Sequence, residues 1–417
     1  MKKTICLLFV LATIGTYAQR TCATGAKLEA LKANDPAFAV HHQETMDYIR
    51  STAALQTNKA PNVVITIPVV VHVLYKNTTQ NISDAQVLSQ IAILNNDYRK
   101  LNADFSSVVP SAFQSLGADC ELAFCMATRT PAGVATTGIE RKAIASSAVF
   151  ENIYYTSTGL AAWDPTKYLN IWVGRFSDNT LLGFAYLPSA AGSNFDGLCI
   201  GDQFYGNTGT ALAPFNKGRT ATHEIGHYFG LEHPWGNDGS TCGTTANSDG
   251  VADTPATNNP YFSADYTTAC PTFPNNDHAC TVTANGSMFM NYMDYVDDAC
   301  MAFFTTGQKA VMQATMNGPR VSLKTSNGCS SLSVGEQEAI AAIAVYPNPV
   351  SQYFIITSPH TNVDEVEIFN TSGQLVKTQK LTEVNNKIYV DQLETGIYYL
   401  RIYNEGKLLK SDKIIKK

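Results

Sequence analysis

Three histidines and one glutamate carry the most chemistry in this sequence. The run Thr222-His223-Glu224-Ile225-Gly226-His227-Tyr228-Phe229-Gly230-Leu231-Glu232-His233 spaces His223 and His227 four residues apart. On a helix that spacing puts both imidazoles on one face, where they can bind one metal ion. Gly230 tolerates the left-handed backbone that ends a helix and turns the chain. The turn brings His233 round as a third ligand. Three imidazoles and an open fourth position describe a catalytic zinc site, whereas structural zinc sites close all four positions. Glu224 adjoins the first ligand and is placed to take a proton from an attacking water. The chemistry expected is metal-assisted hydrolysis.

Such a site needs a rigid frame, and the sequence supplies one. Val63–Tyr75 is a β-branched run that reads as a buried strand, with His72 in it as a core histidine. Ser83-Asp84-Ala85-Gln86 has a capping-box pattern. Val87, Ile91, Leu94, Tyr98 and Leu101 follow at helical spacing. Tyr168–Phe176, Leu181–Leu187 and Leu198–Phe204 read as further strands. Beyond residue 235 the chain is rich in Gly, Asn, Asp, Thr and Pro. A long irregular stretch of that kind needs cross-links or ions to stay ordered, and it holds Cys242, Cys270, Cys280 and Cys300. A helix with Phe303, Val311 and Met312 comes next. Residues 19–60 are polar and helix-permissive, over Ala26–Lys32 and Val40–Leu55, with no obvious strand. From Tyr346 onward apolar and polar residues alternate and turns such as Ser372-Gly373 intervene, as in a small all-β domain.

Composition narrows the class. A chain of 417 residues allows two or three domains. Hydrophobic residues at 45% exclude a disordered chain. A net charge of −6 provides no basic field for nucleic acid. No apolar run reaches the roughly 18–20 residues of a membrane span. Ten cysteines suit an oxidising compartment. Lys2 and Lys3, the apolar run Ile5–Ile14, and Thr16 and Ala18 before Gln19 read as a secretory signal. Its removal takes Cys6 with it.

The zinc segment resembles the metzincin signature HExxHxxGxxH, and Asn291-Tyr292-Met293-Asp294-Tyr295 resembles its Met-turn. The resemblance implies Met293 as an apolar floor beneath the histidines and Tyr295 as an oxyanion stabiliser. His223 to Trp235, Gly250 to Ala256 and Asn291 to Met301 together resemble the pappalysin family, most of all its ulilysin-type members, over residues 60–325. The implied fold is α+β: a metzincin-type protease domain, with a twisted mixed sheet, long helices and an irregular lower subdomain, followed by a small all-β sandwich domain. The implied activity is zinc-dependent endopeptidase hydrolysis of proteins or peptides. The family also implies calcium, with Asp249, the Ala252 carbonyl and Thr254 as its ligands here, and two crossed disulfides, Cys242–Cys280 and Cys270–Cys300. Sequence alone leaves all three pairings of those four cysteines open.

Arg20-Thr21-Cys22-Ala23-Thr24 resembles the start of ulilysin-type propeptides, whose cysteine blocks the zinc. A thiolate is a good zinc ligand and can fill the open position. The competing reading pairs Cys22 with Cys120, Cys125, Cys199 or Cys329. The resemblance to ulilysin-type proteases also implies a preference for Arg or Lys just after the scissile bond, with Asp298, beside Asp297, as the candidate to line that pocket; the rival reading is a solvated or calcium-binding acidic pair. Tyr346-Pro347-Asn348-Pro349, Asn370 to Gln374 and Leu393 to Tyr398 resemble the sorting domain of type IX secretion cargo, which implies outer-membrane secretion machinery as a partner. The alternative is a binding β-sandwich. The expected organisation is a signal peptide at 1–18, propeptide at 19–60, protease domain at 61–325, linker at 326–343 and sorting domain at 344–417. The expected product is a monomeric zymogen, secreted or at the cell surface. An inactive adhesin on the same fold is the rival, and an intact Glu224 argues against it.

Overall fold

The computed structural model describes residues 20–55, 63–236, 242, 249–330, 343–358, 362–381, 387–404 and 406–417. The expected signal segment 1–18, most of the expected linker and most of the Asn58–Val63 stretch lie outside the described residues. The chain divides into two compact units, residues 1–330 and 331–417.

The first unit is built on a mixed seven-stranded sheet. Its strands are β1 (Thr21–Cys22), β2 (Ile65–Tyr75), β3 (Leu122–Met126), β4 (Ile139–Ala143), β5 (Leu169–Gly174), β6 (Leu181–Ala185) and β7 (Leu198–Gly201). The order is β1-β6-β7-β5-β2-β3, with β4 also paired to β2. All pairs are parallel except β6–β7. Strand β2 is covered on both faces over most of its length, which explains its nearly continuous apolar run. His72 is buried there, between Glu140 at 2.8 Å and Asn170 at 2.9 Å.

Helices α1 (Thr24–Asn34) and α2 (Pro36–Leu55) lie between β1 and β2 in the chain, and α3 (Asp84–Tyr98) between β2 and β3. Ser83 caps α3 by accepting from the Gln86 amide. Val87, Ile91, Leu94 and Tyr98 are buried as a stripe, but the helix stops at Tyr98 and Leu101 lies beyond it, exposed. Helix α4 (Arg219–Tyr228) carries the first two histidines, and α5 (Thr306–Asn317) closes the unit. Phe303 precedes α5, because Thr305 and Gln308 form its capping box. Between α4 and α5 the described residues hold only single turns of 3-10 helix and isolated bridges. Disulfides Cys242–Cys280 and Cys270–Cys300 lie within that stretch. A further one joins Cys125 to Cys329.

Two strands differ from the sequence reading. β4 was not apparent, since it is short, polar (IERKA) and only half covered. β1 falls where no strand was expected: two residues suffice because the pairing partner, β6, supplies the edge.

The second unit has a three-stranded sheet, β12-β9-β8, and a four-stranded sheet, β11-β10-β13-β14. The ranges are β8 Ala344–Tyr346, β9 Tyr353–Thr357, β10 Glu365–Phe369, β11 Leu375–Lys380, β12 Lys387–Tyr389, β13 Gly396–Asn404 and β14 Lys407–Lys416. Every pairing is antiparallel. Phe354, Ile356 and Ile388 from one sheet share a core with Val366, Ile368, Leu400, Ile402 and Ile414 from the other. Two sheets sharing one core make a small sandwich.

Candidate active site

Helix α4 ends in a Schellman turn. Gly230 takes φ 93°, its amide donates to the His227 carbonyl, and the Leu231 amide donates to the Gly226 carbonyl. That reversal turns His233 back toward the helix. The His233 and His227 Nε2 atoms are 3.0 Å apart, and those of His233 and His223 are 3.3 Å apart.

The other ring nitrogens are tied to carbonyls: His223 Nδ1 to Tyr292 at 2.8 Å and His227 Nδ1 to Leu231 at 2.7 Å. A carbonyl only accepts, so each Nδ1 carries the proton and each Nε2 is a bare lone pair. Burial holds His227 down to about 4. Burial, then the His227 and His233 rings, hold His223 well below the usual imidazole range. The His223 and His227 lone pairs both face His233 Nε2, and a cation among the three rings would draw all of them in as ligands. Two donors of one tetrahedral zinc stand about 3.3 Å apart, so these donors fit that ion.

Cys22 Sγ belongs to the same cluster, all of whose donor atoms lie within 4.8 Å of one another. Strand β1 carries it there, with Cys22 in register with Gly183 of β6. The Cys22 thiol also lies 3.3 Å from Glu224 Oε2, and the Thr24 hydroxyl donates to the same oxygen at 3.2 Å. No disulfide involves Cys22; Cys120 and Cys199 are also free thiols, buried in the core. Burial pushes the Glu224 carboxyl up to about 8. For the Cys22 thiol, burial and next the Glu224 charge push upward.

Met293 is fully buried against α4, beside Gly226. The Tyr295 ring lies 5.6 Å from the His223 ring and 5.1 Å from that of His233. Asp298 is fully buried and ion-paired with Arg20, two residues before Cys22. Its Oδ2 accepts the Lys217 and Arg219 amides at 2.8 and 3.2 Å. Asp297 is half-buried, its amide bonded to Ser263 Oγ.

The calcium candidates are less convergent. The Thr254 hydroxyl lies 2.8 and 2.7 Å from the two Asp249 carboxylate oxygens and 2.9 Å from the Val251 carbonyl. Ala252 is exposed, with no hydrogen bond bringing it to them among the described residues. Burial pushes Asp249 up to about 7, and Glu232 adds to this. Arg50 of α2 pairs with Glu232 at 2.7 Å.

Sequence reasoning missed two partners of this site. The role of Arg20 lies in a contact 278 residues away along the chain; its only local sign was a basic residue beside a candidate blocking cysteine. Trp235 stacks on His233 at 4.5 Å and 5°, and an aromatic two residues past the last ligand was the available hint.

A buried helix presenting two imidazoles, a tight turn returning a third, a glutamate beside them and a methionine floor define a zinc-dependent peptidase of the metzincin type. Comparison with known proteins agrees. Residues 155–317 match the family model described as pregnancy-associated plasma protein-A, and residues 344–417 match the secretion system C-terminal sorting domain. Mature mirolysin of Tannerella forsythia, solved in complex with a cleaved peptide, is 43% identical. That likeness covers 64% of this chain and 97% of mirolysin, with a TM-score of 0.58. A promirolysin mutant from the same organism is 40% identical, over 73% of this chain and 97% of that one, with a TM-score of 0.64. An extracellular metalloprotease of Arthroderma otae is 31% identical over 246 residues, 58% of this chain and 75% of its own. The chain belongs to the pappalysin family of metzincin proteases. It is a zinc metalloendopeptidase, secreted or at the cell surface, and carries a type IX sorting tail. That sets aside the inactive adhesin. No helix among the described residues is long and apolar enough to cross a membrane.

Proposed function

We propose that this protein is made as a latent zymogen whose active site hydrolyses peptide bonds ahead of basic residues. His223, His227 and His233 hold the catalytic zinc. When bound, that ion supplies Lewis acidity, which polarises the scissile carbonyl and acidifies water. Glu224 accepts the proton of the attacking water and delivers it to the leaving amine. The Tyr295 hydroxyl donates to the oxyanion of the tetrahedral intermediate. Met293 supports the histidines from below. Asp298 receives the basic side chain that follows the scissile bond.

Latency follows from the residues that fill these places. Cys22 would supply a further ligand to that zinc and lies 3.3 Å from the base, and Arg20 fills the Asp298 pocket. Residues 20–24 would therefore block the metal site, the base and the specificity pocket together. Cleavage near Lys59, by a peptidase that itself prefers basic residues, would release them. Calcium would be held by Asp249 and Thr254, with the Ala252 carbonyl needing to turn in to join them, and would offset the effect of the Glu232 charge on Asp249. Residues 344–417 direct the chain to outer-membrane secretion machinery, and the protease works as a monomer.

One observation carries the reading: one donor atom from each of His223, His227, His233 and Cys22 lies within 4.8 Å of the others, and the Glu224 carboxylate is 3.3 Å from that sulfur. Its test is Glu224→Ala. The variant is expected to keep stoichiometric zinc by elemental analysis and to lose at least about a hundredfold in casein hydrolysis. Zinc lost together with activity would make Glu224 a ligand and overturn the assignment.

A further inference from the structure

The ion pair between Arg20 and Asp298 is less specific than it first looks. Asp298 Oδ2 is already engaged by two backbone amides, from Lys217 and Arg219. Only Oδ1 faces the pocket, and it meets a single guanidinium nitrogen, Arg20 Nη2. The Nε and Nη1 atoms of Arg20 are buried with no hydrogen-bond partner among the described residues. No bidentate fork forms here. A lysine ammonium could make the same one-point contact, so Asp298 selects positive charge without separating arginine from lysine.

The remaining wall of the pocket does discriminate. The Arg20 guanidinium carbon lies 5.1 Å from the centre of the Phe215 ring. Phe215 is itself buried, and Phe204 meets it edge-on at 6.0 Å. The ring is held in place by packing. Its loop precedes α4 and also supplies the Lys217 amide to Asp298, so both walls come from one short stretch. A guanidinium is planar and weakly hydrated, and it can lie over an aromatic ring at this distance. An ammonium is compact and strongly hydrated. It is also drawn to the ring, but it gives up more water to reach it than a guanidinium does.

We propose that Phe215 is a specificity-determining residue that makes the pocket arginine-selective, with Asp298 supplying only the charge. This rests on the reading of Asp298 as the pocket for the residue after the scissile bond. The preferred substrates are then peptides with arginine, ahead of lysine, at that position.

The test uses the processed enzyme on two quenched fluorescent peptides that differ only in Arg or Lys after the scissile bond. Wild type is expected to favour the Arg peptide about tenfold in kcat/KM. Phe215→Leu should narrow that ratio to within about threefold, by losing rate on the Arg peptide while changing the Lys peptide less than about twofold. Phe215→Tyr keeps the ring and should keep the ratio, which separates loss of the ring from loss of the fold. A wild-type ratio near one, an unchanged ratio in Phe215→Leu, or an equal fall on both peptides would overturn the proposal. Asp298→Asn should cost both basic peptides alike. If it costs neither, the charge assignment fails, and Phe215 still stands or falls by the Arg-to-Lys ratio.

Discussion

A Cβ built on Gly226 would lie 2.4 Å from the Met293 sulfur. The glycine inside the zinc-facing helix and the methionine below it therefore share one space. The Met-turn approaches α4 this closely only because residue 226 has no side chain. Gly226→Ala must push Met293 down or lift the helix, and His223 and His227 flank that point. Overpacking of this kind costs roughly 1–3 kcal/mol. We expect a lower melting temperature and a clear loss of kcat. Met293→Leu, which conserves volume, should cost less than about 1.5 kcal/mol. Melting curves and kcat for both variants check this, and an unperturbed Gly226→Ala enzyme would contradict it.

Removing the blocking thiol should show in time. Cys22→Ala leaves residues 23–55 docked through α1 and α2 but opens the fourth ligand position. The purified variant proform is expected to show a shorter lag before full activity than wild type at equal zinc. Once processed, both enzymes should have the same kcat/KM. Progress curves on a peptide substrate decide it. Equal lags, or a disulfide found at Cys22 by mass spectrometry, would refute the switch.

How much of this was legible in the chain depends on sequence distance. His223, Glu224, His227 and Gly230 act through helical periodicity and one turn, so their spacing already states their geometry. His233 follows from the same turn. The long strand β2 announces itself because both of its faces are covered. Strand β4 does not, since an edge strand half in water needs no apolar pattern. The Arg20–Asp298 contact and the place of Phe215 were invisible for a different reason: each joins segments that only the folded sheet and its loops bring together. The Asp249 region reads as a hydrogen-bonded turn as readily as a cation site, because Asp and Thr serve both.

Chain truncation tests the independence of the two units. Residues up to Ser330 contain a continuous apolar core, and the sandwich has its own. Deleting residues 331–417 should leave a soluble peptidase with an unchanged melting temperature and unchanged kcat/KM. Export of the truncated chain should fail, leaving it in the cell envelope. Fractionation of a producing cell shows which happens. Normal export would contradict the sorting role, and an insoluble product would contradict independent folding.

If residues 20–55 are the blocking prosegment proposed above, a buried histidine in them should link its docking to pH. His42 of α2 lies inside the contact with Pro188–Ala190, its Nδ1 3.0 Å from the Ser189 hydroxyl, with Phe38 stacked at 6.5 Å. Burial is the main reason its value falls to about 4, and the positive charges of Lys32 and Arg50 push the same way. Glu29 opposes them weakly and His41 adds to them. A released prosegment would titrate near the ordinary 6.5. The sign follows from which state binds the proton. Above pH 6.5 both states are neutral at His42 and docking has its full strength. Between pH 6.5 and 4 the released state takes up a proton that the docked state refuses, so docking weakens as pH falls. Acidification should therefore shorten the activation lag of the wild-type proform. Peptidase activity has its own pH dependence, so the informative quantity is the ratio of lags to a variant that cannot titrate. His42→Gln keeps a polar partner for Ser189 without the charge. At pH 7.5 the wild-type and His42→Gln lags should agree within about twofold, and at pH 5 the wild-type lag should be shorter severalfold. A ratio that stays constant from pH 7.5 to 5 would show that His42 takes no part in release.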